Sequence, residues 1–161
     1  MTTTDIEIAI TKHFNSRRNL IVPNVCWGWG LKYEADIVVV SPANIAFEIE
    51  IKTSLADLKQ ENKKKKHAHR DKRFKFFYFV LPAELFCKLQ QNDKLIDDEA
   101  GVYIVLKNGC LRLMKAPKLK WGWRKITEKE RLKLAELAAM RIWDLKLHIQ
   151  NLKLKTQLGV F

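Results

Sequence analysis

Between Tyr33 and Lys52 the chain alternates with the two-residue period of a β-strand. Ile45, Phe47, Ile49 and Ile51 fall on one face of a predicted strand, and Glu48, Glu50 and Lys52 on the other. In the strand before it, Glu34 and Asp36 share a face with Val38 and Val40. Ser41-Pro42-Ala43-Asn44 supplies the turn, since Pro presets φ and Asn tolerates the left-handed conformation. With a loop of three or five residues Asp36 stands opposite Glu50 on one face. With two or four, the two point to opposite faces.

The pattern elsewhere predicts further elements. Thr4-Asp5-Ile6-Glu7 reads as a capping box, and Ile6, Ala9, Ile10 and Phe14 follow as a helical stripe. Leu20 to Val25 reads as a strand that runs into Trp27-Gly28-Trp29. Thr53-Ser54 and Asp57 open a helix reaching to about His69. Phe74 to Leu81 is a strongly apolar, central strand. Pro82 ends it, and Ala83 to Gln91 is a short helix. Val102–Leu106 and Cys110–Met114 form a hairpin about Asn108-Gly109. Lys115 to Lys125 is a basic loop with a second Trp-Gly-Trp, and Thr127-Glu128-Lys129-Glu130 opens a long helix running towards Lys155. That last helix packs on the sheet by default, or joins two copies in a homodimer. The order is α-β-β-β-α-β with additions, which predicts an α/β protein with a mixed sheet and helices on its faces.

Two carboxylates facing each other across a sheet repel by roughly 0.2–1 kcal/mol. A divalent cation turns that repulsion into coordination. Mg2+ takes one or two carboxylates and keeps sites for water and phosphate. Lys52, two residues after Glu50, points into the same place, where it can act on the attacking water or offset charge on phosphate. The plain alternative is a half-buried sheet with charged residues on its wet face. Glu7 carries two readings as well, a helix cap or a further metal ligand reaching from the first helix.

Asp36, thirteen residues, then Glu50-Ile51-Lys52 resembles the D…(D/E)-x-K signature of the PD-(D/E)XK nuclease superfamily. Lys52-Thr53-Ser54, Asp57-Leu58, Glu61 and Lys63 resemble the K-S-S-x-x-D-F-x-x-D-x-K run of the MmcB-type DNA repair proteins within it. Phe76 to Pro82 and Asp98-Glu99-Ala100-Gly101-Val102 are similar to that group's later strand and acidic-Gly turn. The likeness spans roughly residues 30 to 106 and departs at Thr53 and Lys64, where the group tends to have Ser and Trp. It implies a restriction-endonuclease-like αβββαβ core across a single domain, 1–161, with an added hairpin and residues 127–157 as a C-terminal helical extension. It also implies a Mg2+ or Mn2+ ion held by Asp36, Glu50 and the Ile51 carbonyl, with Lys52 assisting the nucleophilic water.

Charge sharpens the choice of partner. The net charge is +12, from 30 Lys and Arg against 18 Asp and Glu, which calls for an anionic partner. Lys63, Lys64, Lys65, Lys66, Arg70, Lys72, Arg73 and Lys75 form a run directly after the acidic strand. Flanking the site, that run reads as a DNA-phosphate contact rather than a solvated arm. His67 and His69 are two apart, so they share no helix face and make no zinc pair. The tryptophans between glycines stack on bases, wedge into a groove, or pack a loop onto the core. Three widely spaced cysteines, no long apolar run and no basic-then-apolar leader fit a reduced, cytoplasmic protein outside the membrane. No zinc-ligand set, serine triad or P-loop spacing is present. The leading expectation is a metal-dependent nuclease acting on DNA in repair, recombination or mobile-element processing. The alternatives are a non-catalytic DNA-binding module and a basic protein that binds acidic membranes or proteins.

Overall fold

A computed structural model of the chain describes residues 1–60, 71–89 and 95–157. Six strands lie side by side in chain order: β1 (Leu20–Val25), β2 (Ala35–Val40), β3 (Ala46–Ile51), β4 (Phe74–Pro82), β5 (Gly101–Val105) and β6 (Leu111–Lys115). β3–β4 and β4–β5 are parallel and the other pairs antiparallel, so the sheet is mixed. Each parallel step needs a crossover. The first carries α2, residues 55–60, and the second α3 (Ala83–Leu89). Right-handed crossovers that advance the same way along a sheet leave their helices on the same face. Leu58 of α2 and Leu85 and Leu89 of α3 accordingly pack together on Phe77, Phe79 and Leu81.

The opposite face is covered by α1 (Thr3–His13), whose Ile6, Ala9 and Ile10 meet Ile37, Val39, Ile49, Ile51, Tyr78 and Val80. The stripe is the predicted one, but the cap is not. Thr2 is the N-cap: its hydroxyl accepts from the Asp5 N–H, and the Asp5 carboxylate accepts from the Thr2 N–H at 2.8 Å. Thr2-x-x-Asp5 meets the same reciprocal requirement two residues before the expected start, and Glu7 takes no part in the cap.

α4 (Glu128–Gln157) begins as expected, with Thr127 and Glu130 exchanging backbone-to-side-chain hydrogen bonds. Its first half shares the face of α2 and α3, through Leu134, Leu137 and Ala138 against Trp29, Val38 and Phe74. At 30 residues it spans about 45 Å. Ile142, Trp143, Leu145, Leu147 and Ile149 are all exposed. Among the described residues no helix is long and apolar enough to cross a membrane.

Candidate active site

The turn sets the geometry. Five residues separate β2 from β3, Asn44 takes φ +59°, and Ser41 and Ile45 close the loop with a backbone hydrogen bond of 2.9 Å. The register runs Val40 with Ala46, Val38 with Glu48, Ile37 with Ile49. One step further sets Asp36 beside Glu50, as the five-residue alternative requires. The Asp36 Oδ2 accepts from the Ile51 N–H at 2.7 Å, so the carboxylate is steered by the backbone of the strand it faces. Lys52 Nζ lies 3.1 Å from Glu50 Oε2.

Asp36, Ile51, Lys52, Thr53 and Asp57 line a cleft of about 340 Å3, and Glu7 enters it from α1. Burial, and then the negative charge of Asp36, push the Glu7 carboxyl above its ordinary value. Asn24, at φ +52° beside the last pair of β1, lines the same cleft. Glu50 lies beneath, 6% exposed, with its carboxyl pushed up to about 8 by burial first and Asp36 next. A larger hollow of about 610 Å3 between Met1, Ile8, Glu84 and Asn108 holds none of these groups.

The face that carries Glu48 and Glu50 is not wet. Val38 of the α4 side and Phe77 of the α2–α3 side flank Glu48 in the sheet, and Phe79 pairs with Glu50. The acids therefore occupy a seam between two apolar clusters on one covered face. Glu48 is fully buried, its carboxyl pushed up to about 7 by desolvation against the pull of Lys120. Lys120 Nζ stands 3.5 Å from Glu48 Oε2. The Tyr33 hydroxyl faces the same carboxylate, yet it and Glu48 Oε1 are buried without a hydrogen bond of ordinary geometry to a described residue. Neither Lys120 nor Tyr33 carries a local signal: Lys120 lies 72 residues from its partner. Asn24 was equally silent in the sequence.

The basic run divides. Lys63, Lys64, Lys65, Lys66 and Arg70 lie outside the described residues. Lys72 is exposed. Arg73 is committed to the fold: it donates to both Asp71 carboxylate oxygens and to the Trp29 and Gly30 carbonyls, and its guanidinium lies 4.1 Å from the Trp29 ring centroid. Four of its five N–H groups thus have partners inside the chain.

No protein-family model and no curated protein matches the chain. Among solved structures it is similar to the SPO1766 protein of unknown function from Silicibacter pomeroyi. The two share 14% identity over 92% of this chain and 90% of that one, with a TM-score of 0.61. That likeness concerns the fold alone.

Proposed function

We propose that the protein is a metal-dependent nuclease that hydrolyses DNA phosphodiester bonds, built on a restriction-endonuclease-like core of the PD-(D/E)XK type. The observation that carries the reading is the register that sets Asp36 beside Glu50, with Lys52 at the end of the same strand and Glu7 in the same cleft. The donor set suits a hard divalent cation. It consists of oxygens, and Glu50 sits in a field of like charge from Asp36 and Glu48 that a cation relieves. Among the described residues no three His, Cys, Asp or Glu side chains converge as a ready-made cage. Mg2+ commonly completes its shell with substrate oxygens and water rather than protein.

Asp36, Glu50 and the Ile51 carbonyl would hold Mg2+ or Mn2+, with Glu7 as a further oxygen. Bound there, the ion supplies charge to a phosphate and makes water a better nucleophile. The chain's own residues do the positioning. The Ile51 N–H holds Asp36 in orientation, and Lys52 balances Glu50 until a phosphate arrives, then offsets charge developing on it. The scarcity of protein ligands favours a second reading, a DNA-binding module that keeps the fold without turnover.

Cleavage of single-stranded, duplex and branched DNA, with Mg2+, Mn2+ or chelator, separates the two. A nuclease cleaves at least one form, stops in chelator, and loses cleavage by 100-fold or more on Asp36→Asn, the order of effect expected when a preorganised charge is removed. Binding with no cleavage of any form leaves the binding module.

A further inference from the structure

The two Trp-Gly-Trp segments share one arrangement. In 27–29, Trp29 is 5% exposed and Trp27 84%; in 121–123, Trp123 is half-buried and Trp121 93% exposed. One indole of each pair anchors the loop. Trp29 Nε1 donates to the Glu130 carbonyl at 2.9 Å and its ring receives Arg73. The Trp123 ring receives Lys75 Nζ at 4.8 Å from its centroid. The other indole of each pair is held out into solvent.

Both segments flank a single turn, 71–73. On one side Arg73 donates to the Trp29 and Gly30 carbonyls, and the Gly30 N–H donates back to the Trp27 carbonyl at 2.8 Å. On the other side the Arg124 N–H donates to the Lys72 carbonyl at 2.7 Å, and the Lys72 side chain lies against Gly122. The surroundings are cationic. Residues 115–125 hold five Lys and Arg and no acid, and Lys32, Lys72, Lys118 and Lys125 are exposed. Trp27 also follows closely on Asn24, which lines the cleft of Asp36.

We propose that Trp27 and Trp121 are stacking platforms for unpaired nucleobases, so that the preferred DNA has a single-stranded portion. This deepens the nuclease reading and rests on it for the choice of DNA. Exposed indoles with exposed lysines beside them offer a strand what it presents in alternation, a flat base and a negative phosphate. A duplex does not fit as well, because its bases already stack on each other. The side chains that usually wedge between paired steps are Phe, Leu, Ile, Met and Pro rather than Trp.

The test is binding in chelator, where cleavage plays no part. Fluorescence anisotropy is read on labelled oligo-dT and on a duplex of the same length, for wild type, Trp27→Ala, Trp121→Ala, and the corresponding Phe variants. Each Ala substitution is expected to weaken single-strand binding about ten-fold, within the range of one base–aromatic stack. Duplex binding and the salt slope stay unchanged, and the Phe variants keep most of the affinity. Substitution at such exposed positions removes little packing, and circular dichroism verifies that the fold is intact. Unchanged single-strand affinity, or equal losses on both DNA forms, overturns the proposal. Stacking in a protein that shows no Mg2+-dependent cleavage overturns the nuclease reading alone; cleavage by wild type with single-strand binding indifferent to both tryptophans overturns this inference alone.

Discussion

At the scale of single residues, Glu50 and Glu48 set a pH signature. Their carboxyls, pushed up to about 8 and about 7 by burial, bind protons in the folded chain that an unfolded chain has already released. Their contribution is therefore fully present below about 4.5, the ordinary glutamate value, and is lost as pH rises through 7 to 8. Without a divalent ion the melting temperature should fall between pH 5 and 8.5. Glu50→Gln should flatten that fall, and calorimetry across the range checks it. A profile unaltered by the substitution would place Glu50 in water. Lys52→Ala belongs to the same scale. It should abolish cleavage yet leave DNA binding in Ca2+ largely intact, because a group acting mainly in the transition state affects turnover more than affinity. Glu48→Gln, outside the D…E-x-K pattern, should lose much less per folded molecule, and single-turnover rates compare the two.

At the scale of elements, the 115–125 loop does more than carry charge. Its Lys120 enters the seam between the two apolar clusters and meets a fully buried carboxylate. Removing Lys120 leaves a buried carboxyl that must bind a proton or bear an uncompensated charge, at a cost that grows with pH up to about 3–5 kcal/mol. Lys120→Met should destabilise the fold by that order in urea titrations, and adding Glu48→Gln should restore most of it. Equal stability of wild type and the single variant would mean that the pair is solvated. Strand periodicity and turn chemistry were legible here: the Asn44 turn and the Thr127 cap followed from local residue types, whereas the register waited on the loop length. The start of α1 was not, because Thr2-x-x-Asp5 and Thr4-x-x-Glu7 satisfy the same capping rule and only packing chooses between them.

At the scale of the whole molecule, charge and fold separate. The net +12 predicts salt-sensitive DNA binding, with a log–log slope of roughly −3 to −4 if four cations sit on phosphates. Replacing Lys63, Lys64, Lys65 and Lys66 by Gln should flatten that slope by titration at several salt concentrations. Arg73→Gln should instead lower stability with little change in slope, because its guanidinium is spent on Asp71 and two carbonyls. An equal flattening by both changes would reinstate Arg73 as a phosphate contact.

By itself the sequence determined the strands and which side chains share a face, because these rest on a period of two and on residues a few positions apart. The loop length, and with it the approach of Asp36 to Glu50, stayed open between two alternatives until strand pairing chose one. Only the tertiary structure decided that the acidic face is covered, that Lys120 and Tyr33 close on Glu48, that Glu7 is left out of the cap and enters the cleft, and that one indole of each tryptophan pair is held outward. Those outcomes depend on which elements settle on which face. Alternation along a strand distinguishes two faces but is blind to what packs against either of them.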